Sequence, residues 1–207
     1  MDARVSSTDL TVVKPLHDAI RFLEQAVRLD PKFTLAYCAA AETHDVLFVL
    51  DPDPERRALG DAAVNRASAL EPDLAEVHLA YARHLYFSYG DYERARVQLA
   101  ITKRGLPNNV EVSQLEAYMD RRRGNFAKAI QEFSETNPRD PFNAISISEL
   151  ATTLSGLRQF RAAEQAYNRL IARFFSTNKK QRSTLRMSGK RDHVTRKCEI
   201  YHLFQKL

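Results

Sequence analysis

Four prolines in register constrain this chain more than any other feature. Pro31, Pro72, Pro107 and Pro141 each stand twelve residues after a small residue, namely Ala19, Gly60, Ala95 and Ala129; a fifth small residue, Ala163, has Phe175 at the same offset. The small residues are spaced 41, 35, 34 and 34 apart. Four positions after each comes a larger apolar side chain (Leu23, Val64, Leu99, Phe133, Tyr167), and three further on Ala26, Ala67, Thr102, Thr136 or Leu170. Steps of four and three put these residues on one face of a helix. Proline has no N–H to give and clashes with the preceding turn, so it closes that helix. Self-similarity at this period marks stacked supersecondary units.

A second small column, Ala41, Ala82, Ala117 and Ala151, lies in the segment before each of the later helices and predicts a partner helix there. Two of the links are tight: Gly90-Asp91-Tyr92 and Gly124-Asn125-Phe126. Glycine supplies the left-handed backbone that ends a helix, and the aromatic staples the next one. Each unit is then helix, short turn, helix, proline. None can bury its apolar face alone, so neighbours stack.

These columns resemble the tetratricopeptide repeat. The stretches Leu29-Asp30-Pro31, Glu71-Pro72-Asp73 and Gly90-Asp91-Tyr92-Glu93-Arg94-Ala95 carry the resemblance, which covers roughly residues 15–175. Gly60 and Thr136 depart from it by replacing alanines, and the large aromatic early in the first helix is kept only as Tyr37. The resemblance implies an all-α, right-handed superhelical solenoid of antiparallel helix pairs, about four and a half of them. The unit from Phe33 to Pro72 is longer than those after it, with its surplus around Leu47–Pro52, where the first helix is expected to run on; Asp53 should cap the second, with Pro54 at its first position. An elongated second unit of this kind is similar to the tetratricopeptide region attached to some bacterial signalling proteins, such as cyclases and kinases.

The ends break the pattern. Residues 1–14 contain Val5-Ser6-Ser7-Thr8 and Thr11-Val12-Val13, poor helix formers, and are expected to be irregular or an incomplete first helix. Residues 176–207 hold nine Lys/Arg against Asp192 and Glu199, a charge of +7, while everything before them carries 22 basic and 24 acidic side chains, a charge of −2. The basic balance therefore belongs to the tail. That tail reads as a basic segment with a short capping helix through Val194, Cys198, Tyr201 and Leu207, or as a segment foreign to the domain.

Chemistry-bearing motifs are absent. The sequence has no Gly-rich phosphate loop, nucleophile elbow or HExxH. Cys38 and Cys198 form no CxxC pair, and His78 and His84, six apart, point to different helical faces. The histidines (17, 44, 78, 84, 193, 202) are expected to be structural or solvated. No catalytic residue, metal or other cofactor is expected. With no leader pattern and no apolar run long enough for a membrane-spanning helix, the expected location is cytoplasmic.

The site implied by the resemblance is the concave surface lined by the first helix of each pair. By register it includes Glu42, Arg83, Tyr86, Gln114, Tyr118, Arg121, Ser148 and Thr152. Two readings stand: a groove for an extended or helical peptide, acidic in part, or an ordinary solvated helix face. The carboxylate clamp of chaperone-binding members needs Lys, Asn and Arg where this chain has Cys38, Glu42, Leu79, Arg83, Gln114 and Tyr118, so that clamp is missing. The expected function is a non-enzymatic, bacterial protein-interaction scaffold with a protein or peptide partner. The alternative is an adaptor for nucleic acid or an anionic surface, working through the basic tail.

Overall fold

The computed structural model describes the backbone of residues 7–139 and 144–177, with side chains from 13 to 136 and from 145 to 172. Among these residues there are helices and no strand: α1 (Ser7–Leu29), α2 (Thr34–Leu50), α3 (Pro54–Leu70), α4 (Ala75–His84) continuing into a π-helical turn (Leu85–Tyr89), α5 (Tyr92–Gly105), α6 (Val110–Arg122), α7 (Phe126–Arg139), α8 (Ala144–Gly156) and α9 (Phe160–Thr177). The expected basic tail beyond Thr177, its cap helix and Pro141 lie outside the described residues. The chain divides into two compact units between Val112 and Ser113, inside α6.

In the N-terminal unit the columns become the core. Val64 and Ala67 of α3 are buried with Cys38 and Ala41 of α2 and Val77 and Ala80 of α4. A second helix is thus covered by the first helix of its own pair and by the first helix of the next. The surplus of the second unit lies where expected: α2 runs to Leu50, and Asp53 caps α3, its carboxylate accepting from the Glu55 N–H at 2.9 Å with Pro54 following. The one extra residue of the unit after it is absorbed by the π turn that follows α4, since one wider turn accommodates a residue without breaking the helix. Gly90 then turns the chain at φ 64°, and the Asp91 side chain caps α5 by accepting from the Arg94 N–H at 3.1 Å.

α1 starts at Ser7 and passes through Pro15, where the β-branched residues argue for irregular chain. Their propensity penalty is only about 0.7 kcal/mol per residue or less. Among the described residues no first helix precedes α1, and its column residues Ala19, Leu23 and Ala26 are half-buried, whereas their counterparts in α3, α5 and α7 are sealed.

The C-terminal unit keeps the regular repeat step. Ala117 of α6, Ala129 and Phe133 of α7, Leu150, Ala151 and Leu154 of α8, and Ala163 and Ala166 of α9 form one buried cluster. Thr136 substitutes for an alanine at no cost in unpaired groups, because its hydroxyl donates to the Phe133 carbonyl at 2.8 Å; Thr102, in the N-terminal unit, does the same to Gln98 at 3.0 Å. Gly124, at φ 82°, and Arg158, at φ 58°, occupy the turn position of Gly90 at successive repeat steps. Arg158 takes up the left-handed conformation without glycine's freedom.

Candidate functional site

Register places eight residues on the inner helices, and the structure sorts them into two sets, one per unit. In the N-terminal unit Glu42 of α2 meets Arg83 of α4 at 2.7 Å, and the same guanidinium lies 5.4 Å from the centroid of the Phe87 ring. Burial pushes the Glu42 carboxyl up from its ordinary value, and Arg83 pulls it back down. Tyr86 does not share this surface. The π turn rotates it inward, where it is buried with its ring centroid 4.8 Å from that of Phe87 and 5.3 Å from that of Tyr92.

In the C-terminal unit Gln114 is also buried, and its amide donates to Ser146 Oγ at 2.9 Å, tying α6 to α8. Arg121 is the hub. Its guanidinium donates to Glu149 at 2.5 Å and to Thr153 Oγ1 at 3.3 Å, and it lies over the rings of Tyr118 (5.4 Å) and Phe133 (5.7 Å). Tyr118 is half-buried with its ring edge-on to Phe133 at 5.5 Å. Ser148 and Thr152 are half-buried on α8, and the Thr152 hydroxyl donates to the Ser148 carbonyl. The register reading thus names both partners of the Glu42–Arg83 contact, but in the C-terminal unit it misses the partners Glu149, Ser146 and Thr153. Both arginines are paired with carboxylates, so each presents a mixed-charge pair and not an isolated positive group.

A polar cluster that the histidine pattern does not reveal lies beneath Arg83. His84, 1% exposed, is bonded through Nδ1 to Asp45 of α2 at 2.6 Å and through Nε2 to Asp61 of α3 at 2.9 Å. Ser88 donates to the same Asp45 oxygen at 2.6 Å, and Tyr89 donates to both oxygens of Asp61 at 2.9 and 2.7 Å. Burial alone would lower the His84 pKa, but the two carboxylates outweigh it and raise the value above that of free histidine. Asp61 is held below the ordinary carboxyl range, its partial burial being outweighed by His84, Tyr89 and Arg57.

The sequence trace of this cluster is Gly60. A Cβ there would come within 2.9 Å of the His84 ring, so the alanine of the other columns has no room. Ser88 contacts the carboxylate and not the imidazole, which leaves it without the adjacent base that a nucleophilic serine needs. Cys38 is no better a nucleophile, because burial and then the charge of Glu76 push its thiol pKa up to about 11. Among the described residues no group of three or more His, Cys, Asp or Glu side chains is arranged to hold a metal ion, and no described helix is long and apolar enough to cross a membrane.

Comparison with known proteins gives no matching family model and no matching curated protein. Solved structures do match. PilW, a widely conserved type IV pilus biogenesis factor, superimposes with a TM-score of 0.60 at 19% identity, over 80% of this chain and 73% of that one. Pseudomonas aeruginosa PilF gives 0.55 at 20% identity over the same shares. A thermophilic tetratricopeptide protein of Thermus thermophilus gives 0.55 at 17% identity, over 70% of this chain and 76% of that one. Taken with the buried columns, the capped helix pairs and the glycine turns, these likenesses establish that the chain has the tetratricopeptide fold, an all-α array of the solenoid class.

Proposed function

We propose that the chain is a non-enzymatic protein-interaction scaffold whose binding surface is the polar face of the first helices. The observation that carries the reading is Arg121, stacked on two aromatic rings, 23% exposed, and paired with a carboxylate from the next first helix. Such a group is pre-ordered, so little rotamer freedom is lost when a partner arrives, and arginine and tyrosine are the residue types that dominate binding surfaces. Glu42 and Arg83 repeat the pattern in the N-terminal unit. Tyr118, Ser148 and Thr152 complete the surface around Arg121, whereas Tyr86 and Gln114 act from beneath.

Paired charges change the partner that fits. A purely acidic segment would have to displace Glu149 or Glu42, so an extended segment with both donors and acceptors suits these pairs better. Selection of a displayed peptide library on the immobilised full chain tests the reading. Enriched peptides should lose about thirtyfold in affinity with Arg121→Ala or Tyr118→Ala, the roughly 2 kcal/mol of a hot spot, and be unaffected by Lys179→Gln/Lys180→Gln/Arg182→Gln. The reverse pattern would favour the tail as the binding element, with an anionic surface or nucleic acid as partner.

A further inference from the structure

We propose that Asp45, His84 and Asp61 form a proton-gated clamp, in which a doubly protonated imidazole holds α2, α3 and α4 together and releases Asp61 and Tyr89 when one proton leaves. The geometry demands that proton. Both ring nitrogens of His84 face carboxylate oxygens, at 2.6 and 2.9 Å, and only the imidazolium has two N–H donors to satisfy them. The groups facing the ring are Asp45 from α2, Asp61 with Arg57 behind it from α3, and Ser88 and Tyr89 from the π turn.

The neutral ring has one N–H. Asp45 keeps it: that side chain is 1% exposed, its Oδ2 has no hydrogen-bond partner among the described residues, and leaving Oδ1 without the imidazole would strand a buried charge. Nε2 then carries a lone pair aimed at Asp61 Oδ1, and the contact turns repulsive. Asp61, 39% exposed at its side chain, can move into water, whereas Asp45 cannot. Tyr89 is 49% exposed and holds its place by donating to Asp61, by meeting the His84 ring edge-on at 5.5 Å and by lying under Arg57 at 5.2 Å. It leaves with its acceptor. The released element is therefore the π turn at the end of α4, whose Tyr89 ring lies against Arg57, which also stacks on Phe48 at 5.5 Å.

The sign follows from His84 alone. Its folded pKa is raised, so the stabilisation is complete below the unfolded value near 6.5 and is lost as pH rises through the folded value. His44, whose pKa burial lowers, acts in the opposite sense, so wild type is compared with Asp61→Asn, in which only the clamp changes. The asparagine amide can accept from the imidazolium or donate to the neutral ring and keeps the contact at either charge.

On the full chain, the wild-type folding constant should fall by up to about tenfold per pH unit from near pH 6.5 until folded His84 gives up its proton. The total fall should be smaller in Asp61→Asn, where only Asp45 is left to raise the His84 pKa. Over the same range, the amide-exchange protection factors at residues 86–91 of wild type, corrected for the intrinsic pH dependence of exchange, should fall while those in α7 and α8 do not, and both imidazole nitrogens of His84 should read as protonated at pH 6. An equal total fall in the two proteins overturns the clamp, as does a neutral His84 at pH 6. Should Asp61→Asn fail to fold, the wild-type exchange and imidazole measurements decide by themselves.

Discussion

The two compact units solve the same packing problem with different chemistry. In the C-terminal unit, where the repeat step is regular, the interior is a column of alanines around Phe133 and the turns fall on schedule. In the N-terminal unit the step lengthens to 41 and then 35, and there the interior takes in a charged cluster, an overshooting α2 and a π turn. An inserted residue rotates every side chain after it by about 100° unless a wider turn absorbs it. The π turn does so, and it also delivers Ser88 and Tyr89 to the two carboxylates. Both units bury polar side chains, in the regular one Gln114 with Ser146, and Asp120, which pairs with Lys128; what goes with the irregular spacing is a histidine joined to two carboxylates from different helices.

Substitutions can break or sharpen that contrast. The largest loss is expected for Phe133→Ala, about 3–5 kcal/mol, because the ring is fully buried at the centre of the apolar column. Ala129→Leu should overpack the close approach of α7 to its neighbours and lose about 1–3 kcal/mol; a thermal melt like that of wild type would place Ala129 outside the core. Arg158→Gly should raise stability by about 0.5–1 kcal/mol, because it relieves the left-handed strain of roughly 1–2 kcal/mol and gives part of that back as unfolded-chain entropy. Gly124→Ala should shift the melt in the opposite direction, so two changes of the same sign would show that the turn geometry is not what distinguishes them.

Much of the fold was legible because its signals are local. A proline twelve residues after an alanine, Asp53 before Pro54, and glycines ahead of aromatics each act within a short stretch of chain, and each has its counterpart in the structure where the residues are described. The onset of α1 was not legible, since propensity differences per residue are small beside what one packed face contributes. The inner helix face was half legible. Register names Glu42, Arg83, Tyr118 and Arg121, but which of them meet depends on the alignment of one helix against the next, and so Glu149 went unseen. Tyr86 was misplaced by the single extra residue that the π turn takes up. Asp45, Asp61 and His84 come from three different helices at unequal intervals along the chain. No sequence period links them, and Gly60 is their only imprint on the columns.

That imprint offers the most direct test of the claim that the buried histidine cluster, and not chance, explains the irregular N-terminal unit. Gly60→Ala is measured by equilibrium unfolding in wild type and again in His84→Ala. With the imidazole present, the new methyl meets its ring at 2.9 Å, and a loss of about 1–3 kcal/mol is expected. With the imidazole removed, the same substitution should become neutral or stabilising by up to about 1 kcal/mol, the helix preference of alanine over glycine. An equal loss in both backgrounds would contradict the account.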